Sequence, residues 1–302
     1  MSTPTASATP SDGPPGAVVV VGSVNRDLVV GVDRHPLPGE TLLGTSLVST
    51  TGGKGGNQAA AAARAGAPTL LVARIGDDEG GRACLAELRG AGVDTTFTTV
   101  DPDAPTGTAV VTVAGGENTI VVVPGANGRL DDTDVPLGPG DAVVAQHETP
   151  IAPVAAAFAR ARAAGATTVL NPAPAAPVAD DLLTLVDVLV VNEHELGIVF
   201  PGATPEAAPP FAGTVVVTLG RHGVRAWPAG GGPALDVPGR PVEAVDSTGA
   251  GDCFVGYLVA GLVAGVPLAA ALDRANRAAA LSTTRPGAAA SVPTAAEVDA
   301  LT

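Results

Sequence analysis

The stretch AVVAQHETPIAPVAAAFARARAAGATTVL spans residues 142–170. Ala142–Ala145 is a short apolar run, the pattern of a buried strand. Ala152–Ala163 is long, rich in alanine and read as a helix. Thr167–Leu170 is a second buried strand. Strand, helix and strand in this order make a βαβ unit with parallel strands, because only a crossover connection can join parallel neighbours. The same alternation continues on both sides. Downstream come a short helix near Asp180–Leu185, a strand Val188–Val191, a helix start at Glu193 and a strand Thr214–Leu219. A hairpin follows over Val224–Val237, then two helices at roughly Gly251–Ala264 and Leu268–Ser282. Upstream lie a strand Ala17–Val21, a helix Gly55–Ala65, a strand Thr69–Ile75 and a helix from Asp77 to about Arg89. The expected fold class is therefore α/β, with a mostly parallel central sheet covered by helices.

Two pairs of strands do not fit a plain doubly wound sheet. Leu28–Val32 and Thr41–Ser49 flank a turn containing Pro36, Pro38 and Gly39. Thr106–Val113 and Thr119–Val123 flank Gly115-Gly116-Glu117-Asn118, a hairpin signal. Together they predict a small β-sheet beside the main domain. Ligands of parallel α/β sheets bind at the carboxyl ends of the strands, so a small sheet there would act as a lid.

The chain has 302 residues, 46% of them apolar but only 2% aromatic, and a formal net charge of −14. The core must be built from Ala, Val and Leu. No basic face for nucleic acid is visible, and the acidic balance disfavours anionic membranes. Phe254–Leu272 carries no charge and is long enough to cross a bilayer. Gly265-Val266-Pro267 interrupts it, however, which predicts two consecutive buried helices. Cys84 and Cys253 have no metal-ligand spacing around them and read as buried free thiols in a reducing cytoplasm. Residues 1–16 lack the basic start and apolar core of a secretory signal and read as a disordered tail.

Four motifs can carry chemistry. Asp246-Ser247-Thr248-Gly249-Ala250-Gly251-Asp252 stands directly before an apolar helix. Its glycines expose backbone N–H groups and the helix N-terminus points at them, which makes an anion site. An acid in such a place is unfavourable unless it works, so Asp252 is a candidate general base. A glycine turn with Asp252 as a helix cap is the plainer reading. Gly52-Gly53-Lys54-Gly55-Gly56-Asn57 also precedes a helix. Lys54 is followed by Gly55 rather than Ser or Thr, so it is no P-loop, and no dinucleotide fingerprint fits. It offers amides, a cation and a carboxamide to a polyhydroxyl ligand, or is a flexible glycine loop. Asn25 and Asp27 alternate on one strand face and suit neighbouring hydroxyls, or form an Asx turn. Asn192 and Glu195 share one side of a first helical turn and suit Mg²⁺, or form a capping box. His35, His147, His194 and His222 are scattered without metal spacing.

Taken together, GSVNRD (22–27), GGKGGNQ (52–58), NPAPA (171–175), VNEHE (191–195), TLGRHG (218–223) and DSTGAGD (246–252) resemble the ribokinase family of PfkB-type carbohydrate kinases. The order matches from about Ala17 to Pro293. GGKGGNQ, NPAPA and TRPGAAASVP (284–293) are similar to ribokinases in particular. The resemblance implies a three-layer α/β/α domain over 17–302, with lid strands inserted at about 28–50 and 104–125. It implies conversion of ribose and ATP to ribose 5-phosphate and ADP in ribose catabolism. By position it assigns Asn25, Asp27, Gly53, Lys54, Asn57 and Glu148 to the sugar, Asp252 to the base, and Gly249, Ala250 and Gly251 to the anion hole. Asn192 and Glu195 would position Mg²⁺ and phosphate. Thr218, Gly220, Gly223 and Gly251 would follow the nucleotide, with Asn276 near the adenine. A monovalent cation, K⁺, would sit by Asp246, Thr248, Ser282, Arg285, Gly287 and Ser291, mostly on backbone oxygens. The resemblance also implies a homodimer paired through its lids.

This sequence departs from the family pattern in two places. Gly197–Gly213 is Pro/Ala-rich and short, which predicts a reduced or lost helix. Gly56 replaces a more usual alanine and adds loop freedom. The enzyme alternatives are kinases of deoxyribose, fructose or a nucleoside. A nucleoside kinase would need more aromatic surface than this chain offers. A non-catalytic sugar-binding regulator would be expected to have lost the base or its glycines, and both are present.

Overall fold

The computed structural model describes residues 16–115 and 117–301, and the tail expected over 1–16 lies outside the described residues up to residue 15. The first half runs β1 (Val18–Val21), β2 (Asn25–Gly31), β3 (Ser46–Gly52), α1 (Lys54–Arg64), β4 (Thr69–Gly76), α2 (Glu79–Gly90), β5 (Thr98–Asp101), β6 (Gly107–Ala114) and β7 (Glu117–Val123). Then follow β8 (Ala142–Ala145), α3 (Ile151–Ala164), β9 (Thr167–Leu170), α4 (Asp180–Leu183), β10 (Val188–Asn192), α5 (Glu193–Val199) and β11 (Thr214–Thr218). The chain closes with β12 (Gly223–Trp227), β13 (Leu235–Pro238), α6 (Ala250–Val263), α7 (Leu268–Ser282) and α8 (Ala295–Asp299).

Nine strands form the central sheet in the order β13-β12-β11-β10-β9-β8-β1-β4-β5. Neighbours from β11 to β5 are parallel, and the hairpin β12–β13 adds antiparallel strands at one edge. Alternation along each strand sorts side chains to two cores. Val18, Val20, Val144 and Val190 meet α1, α2, α6 and α7, whereas Val19, Val21, Val143 and Leu189 meet α3, α4 and α5. This is the expected α/β/α arrangement. The apolar run ends as α6 at Val263, and Leu268 starts α7. Among the described residues no helix is long and apolar enough to cross a membrane.

β3, β2, β6 and β7 form a separate four-stranded sheet. β2 pairs antiparallel with β3 and parallel with β6, so this lid joins chain segments far apart in sequence. Strand β3 begins at Ser46, later than the expected Thr41. Its partner β2 ends at Gly31, opposite Ser46, and the pairing stops there. β5 and α8 had no clear sequence signal, since β5 is a short Thr-rich edge strand. From Phe200 to Gly213 there is neither helix nor strand, in line with a lost family helix.

Helices α1 and α6 cross almost in backbone contact. A Cβ on Gly256 would lie 2.4 Å from Ala61 Cβ and 2.6 Å from Gln58 O, so only glycine fits there. The alanines of α1 face the same crossing. Gly56 differs: it lies inside the first turn of α1 rather than in a free loop. A Cβ there would rest 3.7 Å from both Leu88 Cδ atoms, an ordinary contact. Gly56→Ala should therefore raise stability by about 0.5–1 kcal/mol, whereas Gly256→Ala should lower it by roughly 1–3 kcal/mol through overpacking. Urea unfolding of the two variants beside the parent protein checks both signs.

Candidate active site

Asp252 sits in the first turn of α6 and is only 5% exposed. The helix is capped by Gly249, whose φ of 73° is left-handed and disfavours any side chain. No side chain caps it. The N–H of Ala250 is used on Ser247 O at 3.2 Å, while those of Gly249, Gly251 and Asp252 have no backbone partner. Three amides at a helix N-terminus are thus left open to an anion; of the expected set Gly249, Ala250 and Gly251, Ala250 has its N–H committed to the Ser247 carbonyl, and the N–H of Asp252 is open in its stead. A Cβ on Gly251 would meet nothing within 4 Å. Neither packing nor a positive φ demands that glycine, and the space beside it is room for a ligand.

The carboxylate of Asp252 accepts Asn57 Nδ2 at 2.9 Å and Gln58 Nε2 at 3.0 Å. Both donors come from α1, whose glycine-rich start is itself capped at a distance. Lys54 N–H donates to Glu148 Oε2 at 2.9 Å, Gly56 N–H to Ser23 O at 2.8 Å, and the Ser23 hydroxyl donates to Glu148 as well. Gly53, with φ of 83°, turns the chain into the helix. The nearby Asp252 carboxylate holds the Lys54 ammonium above its usual pKa, against burial, and Glu148 and Glu195 add to this.

A cavity of about 270 Å³ lies between Asp252 and the lid. Asn25, Asp27, Gly53, Lys54, Asn57, Glu148 and Asp252 all line it, so the whole expected sugar set converges. Ala109, Val111, Ile120 and Val122 of the lid close it from above, and no aromatic residue is present. Asp27 Oδ1 and Asn57 Oδ1 are buried without a partner. Unsatisfied buried acceptors cost about 1–3 kcal/mol each, so the cavity calls for a ligand with several hydroxyl donors. Asn25 supplies the opposite function. Its Oδ1 accepts Asn127 Nδ2 at 2.8 Å, and Asn127 is itself oriented by Val24 N–H on its Oδ1 at 2.9 Å. The Asn25 amide N–H₂ is left to donate.

A second cavity of about 140 Å³ continues from Asp252 past Lys54, Gly249 and Gly251 to Asn192, Glu195 and Thr218. A third, of about 730 Å³, runs from Thr218 and Gly251 along Gly220 and Gly223 to Asn276. Asn276 Nδ2 is held by Pro238 O at 2.8 Å, which leaves its Oδ1 as an acceptor. The middle cavity shares Lys54, Gly249 and Asp252 with the first and Thr218 and Gly251 with the third, so one channel links the small polar pocket to a long groove.

Asn192 and Glu195 form a reciprocal capping box: Asn192 Oδ1 accepts Glu195 N–H at 2.8 Å, and Glu195 Oε2 accepts Asn192 N–H at 2.9 Å. Each keeps polar atoms beyond the box, and both line the middle cavity. Burial raises the Glu195 pKa, opposed by Asn192 N–H and Lys54. Two such groups fit Mg²⁺ only with further ligands from water and phosphate. Behind the anion loop, Asp246 accepts Thr248 N–H at 2.9 Å and Gly287 N–H at 2.8 Å, and Val245 and Asp246 N–H reach Thr283 O. Burial pushes the Asp246 carboxyl up, but these donors outweigh it and hold it below its ordinary value. The 246–249 and 282–291 loops are thereby joined. Arg285 turns its side chain to Glu297, and the Ser291 hydroxyl donates to Ala288 O at 2.9 Å. Among the described residues no group of three or more His, Cys, Asp or Glu is placed to hold a metal ion. A donor set of carbonyl oxygens with one ionised carboxylate fits a large monovalent cation rather than a transition metal.

Several residues at the site were not singled out by sequence. Gln58, Gln146 and Asn171 form a buried amide chain behind Asp252, Ser23 supports Glu148, and Asn127 orients Asn25. Gln146 and Asn171 each stand just past an apolar strand, β8 and β9, where ligand-facing residues of parallel sheets occur.

The family described as pfkB family carbohydrate kinase matches residues 16–295. The chain is similar to the ribokinase of Bacillus subtilis (strain 168), at 40% identity over 290 residues, covering 94% of this chain and 98% of the relative. It is 31% identical over 293 residues to the deoxyribokinase of Salmonella typhi, covering 91% and 95%. The structure of Arabidopsis thaliana ribokinase complexed with ribose and ATP superimposes with a TM-score of 0.82 at 29% identity, covering 95% of this chain and 98% of that one.

Asp27 carries a pH signature. Burial, then the charges of Glu148 and Asp252, push its carboxyl from 3.8 up to about 7. In the unfolded chain it ionises near its ordinary value. Between those two pH values the unfolded state holds fewer protons, so stability falls as pH rises through the window. Asp27→Asn should abolish that loss: in the absence of ligand its Tm should gain on the parent protein between pH 4 and 8. An equal Tm difference at both pH values would remove the assignment.

Proposed function

The chain belongs to the pfkB family of carbohydrate kinases, and on that premise we propose that it transfers the γ-phosphoryl group of ATP to the 5-hydroxyl of D-ribose, giving D-ribose 5-phosphate and ADP. The observation that carries this reading is the placement of Asp252 where a hydroxyl-seeking cavity meets open helix amides. Asn25 donates to the sugar, while Asp27, Asn57 and Glu148 accept from its hydroxyls. Asp252 takes the proton of the 5-hydroxyl as that oxygen bonds to phosphorus. The bond to the ADP oxygen breaks, and the amides of Gly249, Gly251 and Asp252, with Lys54, stabilise charge on the transferring group. Thr218, Gly220, Gly223 and Asn276 hold the nucleotide along the long groove.

Asn192 and Glu195 would hold Mg²⁺, partly through water, to offset phosphate charge. Asp246, Thr248, Ser282, Arg285, Gly287 and Ser291 would hold K⁺, shaping the amide loop from behind. Residues 17–302 act as one kinase domain with lid inserts at about 28–50 and 104–125. The buried free thiols Cys84 and Cys253 support a cytoplasmic location. The outward lid face exposes Leu47 (69%) and Val121 (65%), which supports pairing of two lids in a homodimer. A monomeric mass in sedimentation would remove that last element.

ADP release from MgATP, measured with ribose, 2-deoxyribose, fructose, adenosine and no sugar, tests the function directly. Ribose should be preferred and ribose 5-phosphate recovered; preference for another sugar would leave the base in place and overturn the sugar assignment. Asp252→Asn should bind ribose nearly as before while kcat falls by about 10²–10⁴, and turnover close to the parent's would sink the base. Exchanging K⁺ for tetramethylammonium at fixed ionic strength should lower kcat. An indifferent enzyme has no use for the cation loop.

A further inference from the structure

Behind Asp252, outside the sugar cavity and the nucleotide groove, lies a row of buried amides that reaches the middle cavity only through Asn171. Gln146 Nε2 donates to Gln58 Oε1 at 2.7 Å. Gln58 Nε2 donates to Asp252 Oδ1 at 3.0 Å and to Asn171 Oδ1 at 3.1 Å. Asn171 Nδ2 donates to Val190 O at 2.9 Å. The chemistry of the last acceptor fixes the direction of the whole row. A backbone carbonyl can only accept, so Asn171 must turn its N–H₂ to Val190 and its oxygen to Gln58. Gln58 must then answer with N–H, and its second N–H falls on Asp252. Its oxygen is taken by Gln146. No flip of the Gln58 amide leaves these bonds intact. The residue is 1% exposed and does not line the sugar cavity, in contrast to its neighbour Asn57.

We propose that Gln58 is a positioning residue for the catalytic base: locked by Gln146 and Asn171, it presents only a donor to Asp252 and so keeps that carboxylate an oriented acceptor, ready for the hydroxyl proton. This rests on Asp252 being the base. Asn57 already donates to Oδ2, so each carboxylate oxygen receives an N–H. A proton on the Gln58 side would face another hydrogen rather than a lone pair. The incoming hydroxyl proton is thereby directed to the pocket side of the group, and at the end of the cycle it leaves from there. The titratable groups near Asp252 are Lys54 on α1, Asp27 on β2, Glu148 after β8, Glu195 on α5 and Cys253 beside it on α6. None of them hydrogen-bonds to Gln58, so replacing it leaves their own bonds in place.

The test is Gln58→Met, which keeps length and apolar bulk but removes the amide. Ribose affinity by calorimetry should stay within about threefold, because the side chain lies outside the cavity. At pH 7 kcat should fall by about tenfold or more, the scale of one hydrogen bond to a charged group. The split is the discriminating readout, because a merely structural defect would weaken ribose binding and turnover together. A loss shared by ribose affinity, or a kcat equal to the parent's, overturns the inference. Gln146→Met, which frees the Gln58 oxygen, should give a smaller loss of kcat with ribose affinity again kept. It decides the matter should Gln58→Met not fold, and an unchanged kcat there overturns the inference too. Asp252→Asn, run alongside, separates the two ideas. If it keeps its turnover, the base reading fails. If it is inactive while Gln58→Met turns over like the parent, the positioning inference alone fails.

Discussion

At Gly256 the helices α1 and α6 approach until backbone meets backbone, and the geometry of the site follows from that approach. A side chain at this point would overlap Ala61 and the carbonyl of Gln58. With the gap closed, Gln58 and Asn57 reach Asp252, one turn earlier on α6, at hydrogen-bond distance. Hydrogen-bond geometry tolerates only a few tenths of an ångström before the interaction weakens. A wider crossing would therefore undo the orientation of Asp252 while leaving the sheet and both cores unchanged. The run of alanines in α1, which looks unspecific as sequence, is what lets the helices come this close.

The sugar cavity illustrates a second constraint. Its walls hold acceptors that the protein does not satisfy, Asp27 Oδ1 and Asn57 Oδ1 among them. Three acids converge there, and burial together with the charges of Glu148 and Asp252 raises the proton affinity of Asp27. Such a surface is unfavourable when empty and becomes favourable when hydroxyl donors arrive. Ile120 and Val122 of the lid add apolar wall opposite these acceptors. Binding and strain relief are in this sense one event.

Much of this was legible in the chain. Apolar runs of four or five residues marked β1, β8, β9, β10 and β11, because a strand buried on both faces needs apolar side chains throughout. The misfit of residues 28–49 and 106–123 with that pattern marked the lid. The glycines before α1 and α6 pointed to Lys54, Asn57 and Asp252. Other parts were hidden for physical reasons. β5 is a polar edge strand held by β4 alone, and its limits depend on a partner rather than on its own composition. Gly56 looked like loop freedom because the capping of α1 comes from Ser23 and Glu148, far away in sequence. Gln58, Gln146 and Asn171 are ordinary amides on paper, and only the fold lines them up.

That remote capping governs how the site can come into being. The first turn of α1 leans on an oxygen of Glu148, 94 residues further on, and Asp252 receives its amides from 194 and 195 residues back. No fragment that stops short of α6 holds all of these contacts. The ring closes only when β1, β4 and β8 are side by side and α6 has docked, so the pocket is made wholly of contacts between distant parts of the chain, the kind whose loop-closure entropy slows folding. A ribosome that has not yet reached α6 has produced a sheet without a base.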